Sequence, residues 1–515
     1  MKLVRILGVS SALCLGAFAT QAQETNQLDQ VSQQLKQWQE NFDRQQRELQ
    51  ERFEKTIQEQ QAQIDALKQQ LEAFKTNAPA AAPPPAAAAT APAKAPAVPR
   101  TEAATPEPAV ASAPTTTTTT AGWNPANPIR LQSGGSYLDV GLVGDFVFGS
   151  STADDIEGGT QLGGHDPNQR GFTVQGVEAN FQGAVDPYFR GNANLAYLLD
   201  SHGESSVELE EGWLETISLP LNLQVRAGQM LTEFGRLNTQ HPHAWEFVDT
   251  SLVNGRFLGG DGLRNPGARL SWLTPTPFYS ELFFTVQNSQ GETAYSFRND
   301  NGGEPLFGRP VTQGHVDSLG DLMFTPRYAV SFDLSDTQTL LGGVSAAFGP
   351  NGSGSDTTTQ IYGTDLYWKW KPANAHAGFP FVSWQTEAML RRYEAGATLD
   401  GTYTAGLPGV PLPQETLTDW GLYTEIAYGF RRGWVAAVRG DYVTPSGDST
   451  YEAILGPDLQ RAERWRISPN LTWYPTEFSK LRLQYNFDER KYIGPDHSVW
   501  FQFEFLIGAH AAHKF

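Results

Sequence analysis

The chain has almost no cysteine: its 515 residues include one, Cys14. Cys14 lies in an apolar run that we expect to be removed, so disulfides, thiol chemistry and cysteine-ligated metals are excluded from the mature chain. No stretch approaches twenty consecutive apolar residues, which excludes a protein that spans a membrane with helices. Charged residues make up only 18% of the chain. Together with abundant glycine and aromatic residues, this low share argues against a soluble enzyme.

The first 22 residues have the pattern of a secretory signal. Lys2 and Arg5 precede an apolar run over 6–19, and small residues up to Ala22 form a cleavage site. The run is too short to cross a bilayer as a stable helix. We therefore expect export, with a mature chain that begins at Gln23.

The end of the chain alternates between two kinds of side chain and stops on an aromatic residue, Phe515. One face is apolar: Val499, Phe501, Phe503, Phe505, Ile507, Ala509 and Ala511. The other carries Gln502, Glu504, Gly508, His510 and Lys514. This period of two predicts a strand between hydrocarbon and a polar interior. A terminal Phe on such a strand is similar to the signal that the bacterial barrel-assembly machinery recognises. An edge strand of a soluble sandwich is the alternative.

A net charge of −19 does not contradict a membrane barrel. Such a barrel hides its apolar face in every second residue, so the average composition stays polar.

Two regions precede the predicted barrel. In residues 23–76 apolar side chains recur every three or four positions, which predicts a coiled coil: Leu28, Val31, Leu35, Trp38, Phe42, Leu49, Phe53, Ile57, Ile64, Leu67, Leu71 and Phe74. A single helix docked on another surface is the alternative. Residues 77–122 are rich in Pro, Ala and Thr, which predicts an extended linker.

Residues 123–515 are predicted to form an all-β transmembrane barrel of antiparallel strands. Eight alternating segments are clear, and seven short turns separate hairpins: Asp186-Pro187, Pro220–Asn222, Pro275-Thr276-Pro277, Asp333–Gln338, Pro372–Pro380, Arg431-Arg432-Gly433 and Pro475–Ser479. Seven short turns with both barrel ends on one side imply sixteen strands. That number predicts an open aqueous channel and not a filled interior.

The third long loop, roughly Thr232 to Asn265, is long enough to suggest a function. Its polar residues are predicted to form a constriction: Glu233, Arg236, His241, His243, Asp249, Arg256, Asp261 and Arg264. Two histidines separated by one proline, with no third ligand at fixed spacing, are a weak metal signal, so we expect a packed, hydrogen-bonded loop. No metal or other cofactor is expected.

Charged residues alternate with the apolar ones along the predicted strands and should face the lumen. The predicted channel-lining residues are Arg190, Arg226, Arg269, Arg327, Arg391, Arg439, Arg464, Arg466, Arg482, Asp139, Asp145 and Glu178. They would either set ion selectivity or pair with one another as scaffolding. In Val207–Leu219, Glu211 and Glu215 share a face with apolar residues, which predicts a bulge or a subunit contact.

The Glu210-Glu211 strand, the segment GQMLTEFGRLN at 228–238 and the C-terminal strand pair resemble the phosphate-selective porin O and P family. The resemblance covers roughly Gly135 to Phe515 and implies a trimeric sixteen-stranded channel. No binding residue is carried over, because the arginine ladder and throat lysines of that family have no residue-by-residue match here. Residues 241–272 look like a distinct subgroup of such barrels.

The sequence therefore favours an outer-membrane porin, not an enzyme, that lets small, charged hydrophilic solutes such as phosphate diffuse passively. Expected partners are outer-membrane lipid and lipopolysaccharide, a homotrimer and the barrel-assembly machinery, with no nucleic acid. The alternative function is a tether from the barrel to peptidoglycan through a periplasmic coiled coil. A TonB-type receptor would need a globular plug, which the N-terminal pattern does not predict.

Overall fold

The computed structural model describes residues 129–133, 136–184, 186–398 and 410–508. The predicted signal (1–22), coiled coil (23–76) and linker (77–122) lie outside these residues, as does the chain after Gly508. No helix among the described residues is long and apolar enough to cross a bilayer, a finding that concerns helices only.

Sixteen antiparallel strands form one closed barrel, as the sequence predicts. They are β2 (Ser136–Ser151), β3 (Gly171–Ala184), β4 (Phe189–Leu199), β5 (Ser205–Thr216), β6 (Leu223–Leu231), β7 (Arg264–Leu273), β8 (Tyr279–Asn288), β9 (Leu322–Ser335), β10 (Gln338–Pro350), β11 (Thr358–Trp370), β12 (Phe381–Ala395), β13 (Glu415–Arg431), β14 (Trp434–Pro445), β15 (Arg464–Thr476), β16 (Ser479–Arg490) and β17 (Gly494–Gly508). Each strand pairs with the next, and β17 closes the barrel on β2.

The seven predicted short turns all lie at one end, the short-turn end, and the long connections lie at the other, the long-loop end. Two short helices lie in long loops, α1 (Leu252–Leu258) between β6 and β7 and α2 (Thr450–Leu455) between β14 and β15. Single 3-10 turns cover Pro220–Asn222, Leu237–Thr239, Pro242–Ala244, Asn301–Gly303 and Leu319–Asp321.

Outward positions are mostly apolar and inward positions mostly polar, as expected for a strand with a period of two. On β17, Val499, Phe501 and Phe503 are 43–48% exposed on the outer face, while Gln502 and Glu504 are buried inside. The predicted alternation is confirmed up to Gly508, and its continuation to Phe515 lies outside the described residues.

A bulge on β5 explains how Glu211 and Glu215 avoid the lipid-facing side that their spacing from the apolar residues predicts. Asn194 pairs with Glu211 and Leu195 with Leu209, so Glu210 is an extra residue. The bulge turns Glu210, Glu211 and Glu215 inward, where all three are buried. The predicted bulge is confirmed, and it relieves the cost of charge against lipid.

A short strand, β1 (Ile129–Ser133), also pairs with β2. Ile129 lies opposite Val140, and Gly508 of β17 lies opposite the neighbouring Gly141. β1 therefore continues the edge pairing of β2 from the point where the described part of β17 ends.

The long-loop half of the barrel contains an apolar core, contrary to the expectation of an unfilled interior. Residues of α1 and its flanking loop pack there against inward side chains of β9 to β14. The cluster comprises Phe234, Leu237, Leu252, Val253, Phe257, Leu258, Leu263, Ala294, Phe297, Met323, Ala347, Ile361, Met389, Tyr423 and Val443. The sixteen-stranded wall is wide enough for a folded segment, and apolar burial holds that segment inside.

Candidate functional site

The connection from β6 to β7, residues 232–263, lies inside the barrel and is called the lumen loop below. Its backbone contacts the opposite wall: the amide of Leu237 donates to Glu387 on β12 (2.7 Å), and that of Leu252 to Asp441 on β14 (3.0 Å). The third long loop therefore lies inside the barrel, and its role as a constriction stays a prediction.

The loop begins with a turn that only glycine fits. Gly235 has φ of +62°, and a Cβ at this position would overlap a carboxylate oxygen of Glu387. The left-handed conformation and the close approach both favour glycine. This turn lets the amides of Arg236 and Leu237 reach Glu387.

Asp249 holds the middle of the loop against an arginine wall. Its two carboxylate oxygens lie 2.7 Å from Arg439 Nη2 and 3.1 Å from Arg466 Nη1, and they also accept bonds from Gln484 and Asn486. Burial acts to raise the pKa of Asp249, but the two arginines hold that pKa below its ordinary value.

The predicted wall residues are mostly paired. Three of them, Arg190, Arg226 and Arg269, contact the same carboxylate, that of Glu215. Arg439 and Arg466 both contact Asp441 as well as Asp249. The remaining pairs each join one arginine to one aspartate: Arg327–Asp365, Arg391–Asp419, Arg464–Asp488 and Arg130–Asp139. Arg482 donates to Thr472, Gln502 and the carbonyl oxygen of Trp245, and Asp145 accepts from Gln502. Most of these buried pairs join neighbouring strands of the wall, whereas Arg439, Arg466 and Arg482 also contact the lumen loop.

The other predicted loop residues are distributed along the wall. Arg236 donates to Gln385, and its guanidinium lies 4.1 Å from the centre of the Tyr367 ring. Arg256 donates to the carbonyl oxygens of Arg461 and Ala462, Arg264 lies 3.1 Å from Glu208, and Glu233 contacts Arg269. Asp261 lines a pocket. The lumen loop is thus tied to much of the barrel circumference.

An arginine cluster faces the part of the lumen nearer the short-turn end. Arg226 lies 2.7 Å and Arg269 2.9 Å from Oε2 of Glu215, and Arg190 contacts the other oxygen. The side chains of Arg190 and Arg226 are 28% and 16% exposed. Three guanidiniums here meet the carboxylates of Glu215 and Glu233, and Glu211 is a third carboxylate near Arg226.

A second cluster, the His–Glu cluster, joins the lumen loop to β3 and β5. It contains Glu178, Glu210, Glu211, His241 and His243. Nε2 of His241 lies 3.3 Å from Glu211, and the two imidazole rings stack with their centres 5.7 Å apart. An adjacent pocket with an empty volume of about 470 Å³ is lined by His165, Glu210, His241, Asp261 and Arg264, among others.

An uncharacterized protein of Aquifex aeolicus (strain VF5) is 32% identical over 378 residues, which are 68% of this chain and 73% of that protein. The chain belongs to the family of this Aquifex aeolicus protein. No family model matches the chain. The resemblance to phosphate-selective porins O and P therefore stays a prediction.

Among solved structures, the outer membrane channel DcaP of Acinetobacter baumannii aligns with a TM-score of 0.50 and 13% identity, covering 74% of this chain and all of DcaP. OmpF of Salmonella typhi, in a complex with daunomycin, aligns more loosely, with a TM-score of 0.44, 13% identity, and 74% and 100% coverage. At this identity the DcaP likeness shows the fold alone.

His165, from the β2–β3 loop, was missed by the sequence interpretation. Its Nδ1 lies 2.9 Å from the carbonyl oxygen of Gln175 and its Nε2 3.1 Å from Glu210. Both neighbours are acceptors, so both ring nitrogens donate. Burial acts to lower the pKa of His165, but Glu210 raises it to about 10. His241 shows the same balance: burial opposes the charge, while Glu210 and Glu211 hold its pKa well above the ordinary value.

Proposed function

We propose that this protein is an outer-membrane channel for passive diffusion of small hydrophilic anions, phosphate among them. The observation that carries the proposal is the arginine cluster around Glu215. Two of its guanidiniums, those of Arg190 and Arg226, are partly exposed to the lumen, where they would attract anions. The scaffold role of the other arginines leaves this cluster as the main candidate for selectivity.

The outer face supports placement in a membrane. On β13, outward aromatic residues stand at both ends, Trp420 near the long loops and Phe430 near the short turns. Ten residues of strand tilted by about 40° rise about 25 Å, the height of the apolar band in such barrels. Stacked Trp434 and Trp473 extend the short-turn girdle. Contact with outer-membrane lipid and lipopolysaccharide follows from this band.

Ion selectivity tests the proposal. The folded protein is reconstituted in a planar bilayer, and the reversal potential is measured across a potassium chloride gradient and again with phosphate as the anion. Anion-selective current is expected, and Arg226→Gln should shift the reversal potential toward cations. Arg432→Gln, at an exposed short turn, is the matched control and should change little. Folded protein that carries no current would overturn the channel proposal.

Assembly belongs to the same proposal. We infer a homotrimer, because the porin resemblance implies one and the predicted coiled coil needs partner helices. Light scattering of the full chain in detergent measures the subunit number directly.

The tether alternative is tested by deleting residues 23–122. Unchanged conductance with a weakened envelope would assign a separate, peptidoglycan-linked role to the predicted periplasmic region.

A further inference from the structure

Carboxylates and imidazoles of the His–Glu cluster lie at distances suited to a shared ion. Oε2 of Glu210 lies 3.2 Å from Nδ1 of His241. Oε2 of Glu178 lies 3.3 Å from Nδ1 of His243 and 3.9 Å from Nδ1 of His241. One ligand atom from each of Glu178, Glu210 and His241 lies within 4.8 Å of the other two.

We propose that Glu178, Glu210, His241 and His243 bind one divalent transition-metal ion, with Zn²⁺ the best fit. Zinc takes imidazole nitrogen and carboxylate oxygen at about 2.0–2.2 Å in tetrahedral sites. Ligand atoms at that radius are separated by about 3.3–3.6 Å. The observed separations of 3.2, 3.3 and 3.9 Å are close to this range. Glu178, Glu210 and His241 already lie together, and His243, which contacts Glu178, would have to move toward the other two ligands to complete the shell.

The amide of Asn194 is a second, independent observation. Its Nδ2 lies 3.1 Å from Glu178 Oε2, 2.9 Å from Glu210 Oε2 and 3.2 Å from His241 Nδ1. Asn194 is fully buried, and its two amide hydrogens face three acceptor-type atoms. The amide now donates to both carboxylates, so a bound cation would replace those two bonds and require the amide to rotate and turn its oxygen toward the ion.

Charge also favours a divalent ion. Glu178, Glu210 and Glu211 are buried together, with 3–8% of their surface exposed. Nε2 of His165 lies 3.1 Å from Glu210, and Arg264 lies 3.8 Å from Glu210 and 3.1 Å from Glu208. Three carboxylates buried this close together repel one another, and a divalent cation bound between them would offset that repulsion.

The fold explains how these ligands meet. The β5 bulge turns Glu210 inward, β3 supplies Glu178, and the 3-10 turn Pro242–Ala244 sets both loop histidines against them. The adjacent pocket, which reaches Glu210 and His241, offers an ion a route to the site. A bound ion would attach the lumen loop to β3 and β5. The loop already contacts the opposite wall through Glu387 of β12 and through its own Asp249.

Metal titration of the full chain tests the site without any measurement of conduction. The folded protein in detergent is treated with a chelator and then titrated with Co²⁺, a coloured substitute for Zn²⁺, and with Zn²⁺ in competition. We expect about one ion per chain and the intense visible absorption of four-coordinate Co²⁺. Substituting a residue that only orients a metal ligand typically weakens metal binding by about 10–100-fold. His241→Gln and Glu210→Gln each alter a ligand itself, so we expect each to weaken binding by at least that factor.

His376→Gln, in the exposed 371–380 turn, is the matched control and should bind like the unaltered protein. Heat-modified mobility in gel electrophoresis shows whether each variant is a folded barrel. The proposal is overturned if the unaltered protein binds no ion, or if folded His241→Gln binds as tightly. If the variants do not fold, X-ray absorption of Zn²⁺-loaded unaltered protein decides instead, because a shell without imidazole scattering would also overturn the site.

Discussion

At the residue scale, Asp249 shows how one carboxylate can hold a long loop in place. It accepts from four side chains on β14, β15 and β16, two of them arginines. Asp249→Asn would turn an amide toward these donors and leave buried guanidinium charge less compensated. We expect a loss of up to about 3–5 kcal/mol in the free energy of unfolding, at the lower end because Asp441 remains nearby.

Denaturant unfolding in lipid vesicles, followed by tryptophan fluorescence, measures this loss. Asp336→Asn, at an exposed short turn, is the control. Equal stability of the two variants would contradict the anchoring role of Asp249.

Gly235 allows a second prediction. Gly235→Ala imposes the left-handed backbone on a residue with a Cβ, at about 1–2 kcal/mol, and adds an overlap with Glu387. Gly314→Ala is a close control, since its φ is +64° and only the flexible Arg298 side chain is near. Gly235→Ala should be the less stable variant in the same unfolding assay, and the difference measures the overlap alone.

Asp458, in the β14–β15 loop, gives a pH prediction. Burial raises its pKa from 3.8 to about 6, so the folded state holds the proton more tightly than the unfolded state. Its contribution to stability therefore falls as the pH rises from about 4 to about 6, and the cost is complete above that range. Asp458→Asn should stabilise the protein above pH 6, by up to about 3 kcal/mol, and flatten this dependence.

Thermal unfolding midpoints at pH 5 and pH 7.5 test the sign. Exposed Asp448→Asn should leave the difference between the two midpoints as it is in the unaltered protein. A larger difference in Asp458→Asn would show that the carboxyl is not the source.

At the scale of elements, α1 is held by packing more than by its own helix propensity. It has only seven residues, capped by Ser251, and every one of them is buried. So short a helix is marginal in water, which means that the apolar core inside the barrel stabilises it. Leu258→Ala should cost about 2–5 kcal/mol and loosen the loop. Leu319→Ala, at a 76% exposed leucine, is the control, and noisier single-channel current in Leu258→Ala alone is the expected signature.

The strands were predictable from the sequence because alternation and turn residues are local signals. β17 follows from a period of two, and six of the seven short turns are marked by Pro or Gly, while the turn Asp333–Gln338 is marked by Asp and Ser. The position of the β5 bulge was signalled only as a conflict, since Glu211 and Glu215 stood on an apolar face. The partners of His241 could not be predicted, because Glu178, Glu210 and Asn194 come from strands far away in the sequence.

At the scale of the whole molecule, the lumen loop turns a wide barrel into a packed one. Its apolar residues are not periodic, so no pattern in the sequence indicates that a core forms inside the wall. Replacing residues 233–262 with a short Gly/Ser linker should leave strand pairing intact and raise single-channel conductance several-fold. Shortening the exposed 313–317 segment is the control. Unchanged conductance in the loop variant would place the narrowest point elsewhere.

The strand β1 has a consequence for the order in which the wall forms. Only two residues separate β1 from β2, so their hairpin closes at low entropic cost, while β17 must meet β2 across the full length of the wall. During barrel assembly β1 can thus cover part of an otherwise open strand edge before the final strand pairs with it. We infer that β1 protects residues 136–140 of β2 from pairing with other chains during assembly. The last step of barrel closure, the pairing of β17 with β2, then involves the segment from Gly141 to Ser151.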